Sequence, residues 1–293
     1  MPEDPIVIRR RPLLARRLGE SGQEGTPVRP PPALTPTLGV GSDLRSSTPL
    51  LAPDGSASSA AQELTPEVEL TLLGGFELTV GGEAVDLPVA SQRVVAFLAL
   101  RERQTLRVFV AGYLWTHTTD KRSGASLRSA LWRVRRDAGE LILATPSHLR
   151  LSPRVGVDLR RTLAQVYRLL GPPELCTEAD LRLEPLSQDL LPDWYEEWVV
   201  LEYERVRQLR VHALEVAAER LASLERYGEA LQAYLTVIHS EPLRESAHRA
   251  LMKLYLVQGN RGQALRVYNA FRRLIDREMG SKPSPAMEAL LKT

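Results

Sequence analysis

The chain has 293 residues, of which 43% are hydrophobic and 25% charged, the composition of a globular protein with room for two ordinary domains. Its 38 Lys/Arg against 36 Asp/Glu leave a net charge of +2, so the whole chain does not announce a nucleic-acid binder and charge must be weighed locally. The single Cys176 excludes an intramolecular disulfide and a cysteine metal site and suits a reducing cytosol, and no apolar run approaches the ~18 residues of a membrane span.

In chain order, residues 1–65 come first. The stretch "TPVRPPPALTPTLGVGSDLRSSTPLLAPDGSASSAAQ" is rich in Pro, Gly, Ser and Ala and has neither a helical nor a strand period. Such a segment buries too little surface to offset its ordering entropy and reads as a disordered leader. Within it "RRRPLLARR" at residues 9–17 is basic and reads as a solvated tail. The N-terminus lacks the apolar middle of a secretion signal.

Residues 66–158 form the second zone. In "VELTLLGGFELTVGGEAVDLP", Val68, Leu70 and Leu72 alternate with polar neighbours. Phe76, Leu78 and Val80 follow Gly74–Gly75, and Val85 and Leu87 follow Gly81–Gly82. Period two with paired glycines predicts a small antiparallel sheet with hairpin turns. Neither the P-loop spacing nor the dinucleotide fingerprint is present, so the glycines are not read as a phosphate cradle. The period then changes to 3.6. A helix is expected over residues 91–103, capped by Ser91, a shorter one over 107–115, and a third over 123–138, after the polar connection "THTTDKRSG". "LILATPSHLRLSPRVGVDL" supplies two β runs, at 141–144 and 149–151, around a turn. Strands, three helices and a hairpin are the layout of a winged helix-turn-helix with an N-terminal sheet. The predicted class is therefore α+β, followed by an all-α region.

That all-α region is residues 159–293. "RYGEALQAY" at 226–234 recurs as "NRGQALRVY" at 260–268, a period of 34 that pairs Gly228 with Gly262, Ala230 with Ala264, Leu231 with Leu265 and Tyr234 with Tyr268. This is the signature of a tetratricopeptide-like helical domain, in which small residues let two helices approach and the tyrosine fills the space between repeats. Pro242 is expected to open a helix, and Gly259 and Gly280 to close two.

The third helix of the second zone carries the candidate site. At 100° per residue, Leu127, Ala130, Leu131 and Val134 form a core stripe. The opposite face holds Arg128, Ser129, Trp132, Arg133 and Arg136, besides Ala125. Arginine reads guanine edges or holds phosphate, serine donates to phosphate, and a solvent-facing tryptophan implies a partner: DNA, the hairpin or the helical domain. Residues 101–154 hold eleven Lys/Arg against four Asp/Glu, whereas Glu67, Glu69, Glu77, Glu83 and Asp86 make the leading sheet acidic. A domain basic at one end suits a duplex. His148, Arg150 and Arg154 are placed near the hairpin tip, where phosphate or the minor groove is in reach. Lys121 and Arg122, ahead of the helix, are placed to meet a phosphate at its N-terminus. The five histidines show no metal-ligand spacing, and no G-x-S-x-G elbow occurs. The acids of "DLLPDWYEEW" read as a polar helix start with Trp194 and Trp198 packing inward. No catalytic residue, cofactor or metal is expected.

"SLRSALWRVRRDAG", "LLPDWYEEWVVLEYERVRQLRVHALE", the long block "YGEALQAYLTVIHSEPLRESAHRALMKLYLVQGNRGQALRVYNAFRRLIDREMG" and the closing "KPSPAMEAL" together resemble the SARP transcriptional activators. These join an OmpR-like winged helix to a bacterial transcriptional activator domain, and the resemblance runs from about Val68 to Met287. It implies a cytoplasmic activator that binds promoter direct repeats through the third helix and engages RNA polymerase holoenzyme, with a homodimer on DNA as a further expectation. It places Arg128, Ser129, Trp132, Arg133 and Arg136 at the exposed positions of the recognition helix, and Lys121 and Arg122 in the loop before it. That loop, "THTTDKRSGAS", departs from the common form, which bears on polymerase contact. The ATPase of large family members is not expected here. The other class of function compatible with the residues is a helical-repeat interaction or sensor module whose winged helix does not bind DNA specifically.

Overall fold

The computed structural model describes residues 67–292, an α+β arrangement with a small sheet at the start and a mostly helical remainder. The leader and its basic stretch at 9–17 lie outside the described residues. The expected alternation produces β1 (Val68–Thr71) and β2 (Glu77–Val80), paired antiparallel with Val68 opposite Val80 and Thr71 opposite Glu77. β3 (Glu83–Ala84) follows through Gly81–Gly82, whose φ values of 59° and 85° are what a two-residue turn matched to strand twist demands. The expected strand at Val85 and Leu87 is shorter than the pattern suggested. The strand ends at Ala84, with one more backbone hydrogen bond from the Val85 N–H to the Leu78 carbonyl at 2.8 Å, after which Leu87 is buried and the chain turns into a helix.

Three helices come next: α1 (Val89–Arg101), α2 (Arg107–Leu114) and α3 (Asp120–Ala138). Two helix starts differ from the sequence reading, and α1 and α2 end two residues and one residue earlier than expected. Pro88 stands at the N-cap of α1, and Ser91 is not a cap: it is buried in the first turn and its hydroxyl donates across to the carbonyl of Ala130, 3.2 Å away. Helix α3 begins three residues earlier than expected, with extended Thr119 before it and Asp120 in the first turn, where a negative charge favours the helix dipole. Lys121 and Arg122 therefore belong to the helix and not to the loop ahead of it.

Beyond α3 the chain forms β5 (Ile142–Ala144) and β6 (His148–Leu151), with Ala144 opposite Leu149. Two strands escaped the sequence reading because each is too short to display a period: β4 (Thr105–Leu106), which pairs with β6, and β7 (Val155–Val157), which pairs parallel with β1. The result is one sheet of order β3-β2-β1-β7 and another of order β4-β6-β5.

At the next junction Asp158 opens α4 (Asp158–Leu170). Its carboxylate accepts backbone N–H groups from Leu72, Leu73 and Leu159 at 2.6–3.1 Å. Leu73 also bridges to Leu190, and Gly74, at φ 82°, donates its N–H to the carbonyl of Asp189. The core of the sheet and α1–α3 thus continues into Leu159, Leu190, Trp198 and Val206 of the helical region.

That region contains α5 (Glu184–Ser187), α6 (Glu197–Ser223), α7 (Tyr227–Ser240), α8 (Glu245–Val257), α9 (Arg261–Met279) and α10 (Pro285–Ala289). The repeated motif opens α7 and α9. Ala230 and Ala264 are completely buried, as are all but a few per cent of Tyr234 and Tyr268. The glycines play no part in the close approach: an added Cβ at Gly228 or Gly262 would meet nothing within 4 Å. Pro242 does not begin a helix but sits in the turn before α8, where its carbonyl bonds Nε2 of His248, 2.9 Å away. Gly259 and Gly280, both at positive φ, do end α8 and α9.

Candidate nucleic-acid interface

Helix α3 divides as its periodicity requires. Leu127, Ala130 and Val134 are buried at 2% exposure each, Leu131 is half-buried, and Arg128, Ser129, Trp132, Arg133 and Arg136 are all exposed. Two buried residues extend the inner stripe, Ser123 and Ala138. The outward face is thus made by packing: once Leu127, Ala130 and Val134 insert against α1 and α2, the arginines have nowhere else to point.

Trp132 is 61% exposed. The Arg136 guanidinium carbon lies 4.9 Å from its ring centroid, a cation–π contact. The same guanidinium forks onto the Asp137 carboxylate at 2.5 and 2.8 Å, and that bond holds the Asp137 carboxyl below its usual range and raises Arg136. Arg135 pairs with Glu140 at 3.1 Å. Trp132 also borders a groove of about 420 Å³ between α3 and β5, shared with Leu131, Leu143 and Thr145. Its protein surroundings are therefore α3 itself and the hairpin, and no residue of the helical domain lines that groove among those described.

The hairpin tip is residues 145–147, closed by the Thr145 N–H donating to the His148 carbonyl. His148 lies just past the tip, half-buried in β6, with Nδ1 2.9 Å from the Ser147 hydroxyl. Arg150 is exposed opposite Leu143. Arg154 is not near the tip: it follows the far end of β6, in the turn before β7. Lys121 and Arg122 are exposed in the first turn of α3.

One participant was not singled out by sequence. Arg107 opens α2, receives the hairpin through its backbone N–H to the Ser147 carbonyl at 2.9 Å, and borders both the Trp132 groove and a second one of about 450 Å³ with Arg128 and Pro146. Its membership in the basic stretch was the available signal; its place between helix and hairpin was not legible without the β4–β6 pairing. Among the described residues no group of His, Cys, Asp and Glu is arranged to hold a metal, and no helix is long and apolar enough to cross a membrane.

These elements define a class of protein: a small α+β unit with one arginine-rich exposed helix, continuous with a helical domain. Residues 181–293 match the family model of the bacterial transcriptional activator domain. The fold is similar to that of Mycobacterium tuberculosis EmbR, solved in complex with a low-affinity phosphopeptide, with a TM-score of 0.61 at 22% identity over 77% of this chain. The chain spans 64% of the length of that one, and at this identity the likeness is one of fold. No curated protein matches the chain.

Proposed function

We propose that the chain is a sequence-specific DNA-binding transcriptional activator of the SARP type. The observation that carries this reading is the exposed face of α3, Arg128, Ser129, Trp132, Arg133 and Arg136, set beside a hairpin in the most basic stretch of a chain whose residues 181–293 match the bacterial transcriptional activator domain. In this reading residues 66–158 are a winged helix, α3 enters the major groove, and Lys121, Arg122, Arg107 and Arg150 hold phosphates. Residues 159–293 are a tetratricopeptide-like domain that pairs protomers at promoter direct repeats or meets RNA polymerase.

A gel-shift series on fragments from upstream of the coding sequence tests it. Arg128→Ala/Arg136→Ala is expected to weaken binding to the preferred fragment by ten-fold or more, each lost contact removing about 1–3 kcal/mol. Equal binding of mutant and wild type to every fragment refutes the helix assignment. The phosphopeptide in the EmbR structure makes a protein-interaction module the second reading. Weak binding abolished by unrelated competitor DNA would favour it.

A further inference from the structure

The cations of α3 are not equivalent. In its N-terminal half Lys121, Arg122 and Arg128 make no ion pair with a described residue. In its C-terminal half Arg136 is taken by Asp137 and Arg135 by Glu140, while Arg133 makes no ion pair with a described residue. Asp137 occupies the next-to-last position of the helix. A carboxylate there faces the negative end of the helix dipole, and aspartate is a poor helix former, so helix stability alone disfavours it. Its geometry supplies a different role. Two contacts fix the Arg136 guanidinium, the Asp137 fork on one side and the Trp132 ring on the other.

We propose that Asp137 is a specificity-determining residue of the DNA-binding face: it positions Arg136 across Trp132 and cancels its charge toward a phosphate backbone. This rests on the reading of α3 as the recognition helix. Attraction to any duplex then comes from Lys121, Arg122, Arg128 and Arg133, whose charges are unmasked. Arg136 exchanges its carboxylate only for an acceptor pair of matching fork geometry, such as the O6/N7 edge of guanine. A backbone phosphate approaching the same place meets the charge of Asp137. The Trp132–Arg136 pair is thereby held in one arrangement before DNA arrives, which lowers the ordering cost of reading a base.

The test uses the full chain, a duplex enriched by selection from a random library, and a scrambled duplex of the same length, with affinities measured across salt. Asp137→Asn is expected to bind the scrambled duplex about 3- to 10-fold more tightly at low salt, with a log–log salt slope steeper by about 0.9. Affinity for the selected duplex is expected to stay within about two-fold, so the specificity ratio falls by the same 3- to 10-fold factor. Glu140→Gln unmasks Arg135, which does not stack on Trp132, and is expected to tighten both duplexes alike. The melting temperature of Asp137→Asn should not fall, which separates selectivity from folding. An unchanged specificity ratio in Asp137→Asn overturns the proposal while leaving the DNA reading intact. A wild-type protein that enriches no sequence overturns the DNA reading, and this proposal with it.

Discussion

Replacing Asp158 by alanine should loosen the joint between the leading sheet and the helical region. Its carboxylate accepts three backbone N–H groups: Leu72 at 2.9 and 3.1 Å, Leu73 at 2.9 Å and Leu159 at 2.6 Å. Leu72 is wholly buried and Leu73 nearly so, and alanine leaves their N–H groups without this acceptor. Each buried donor left unsatisfied costs about 1–3 kcal/mol. Leu159 stands at the start of α4, where N–H groups have no helical partner and water can replace the lost acceptor. Burial pushes the Asp158 carboxyl above its ordinary value, ahead of the opposing pull of the three N–H groups. Desolvation therefore offsets part of the gain, and the net loss belongs at the low end, about 2–4 kcal/mol. For a domain of this size that is a fall of about 5–15 °C in Tm. Asp158→Asn keeps an oxygen for Leu72 and Leu159 but turns an amide toward the Leu73 N–H, so it should lie between wild type and alanine. Arg161→Ala removes only an exposed pair with Glu69 and should stay within about 1 kcal/mol. Differential scanning calorimetry on the four proteins reads all of this. If Asp158→Ala melts within a degree of wild type, or Asn and Ala are indistinguishable, the three hydrogen bonds do not carry the joint.

Three further outcomes follow from single sites. Asp180, held down to about 2 by the Arg168 guanidinium and by Thr177, contributes stability that is present above its unfolded value near pH 4 and is lost as pH falls toward 2. Arg168 is half-exposed, so the contribution is discounted to about 1–2 kcal/mol, and in Asp180→Asn urea melts between pH 5 and 2.5 should flatten by that amount. His248 is lowered by burial, so the unfolded chain takes up its proton first as pH drops below about 6.5 and stability declines from there; His248→Gln should remove that limb of the profile. Leu127→Ala, at a site 2% exposed on the inner stripe of α3, should cost about 2–4 kcal/mol by chemical denaturation, whereas Ser129→Ala on the outer face should be near neutral for stability.

Much of α3 was legible in the sequence because its information is local. The 3.6-residue period of Leu127, Ala130, Leu131 and Val134 requires one buried face and leaves Arg128, Ser129, Trp132, Arg133 and Arg136 on the other, whatever the helix packs against. The same holds for the glycine turn at 81–82, where two successive positive φ values favour glycine, and for the 34-residue repeat, where Ala230 and Ala264 mark equivalent contacts. What lay beyond the sequence depended on pairings between distant segments. Two residues of β4 and three of β7 carry no readable period, and they become strands only because β6 and β1 offer them unpaired backbone. Those pairings fix the hairpin beside α3, bring Arg107 to both grooves and leave Arg154 at the far end of β6. The wider surroundings of Trp132 were likewise a tertiary matter. A helical wheel puts a tryptophan on the outer face with Arg136 one turn on, a local i,i+4 pair, but only the packed structure decides that the hairpin forms the other wall of the groove beside Trp132 and that no described residue of the helical region lines it. Side-chain period is set by the backbone of one segment, while a side chain's neighbours are set by every segment that folds against it.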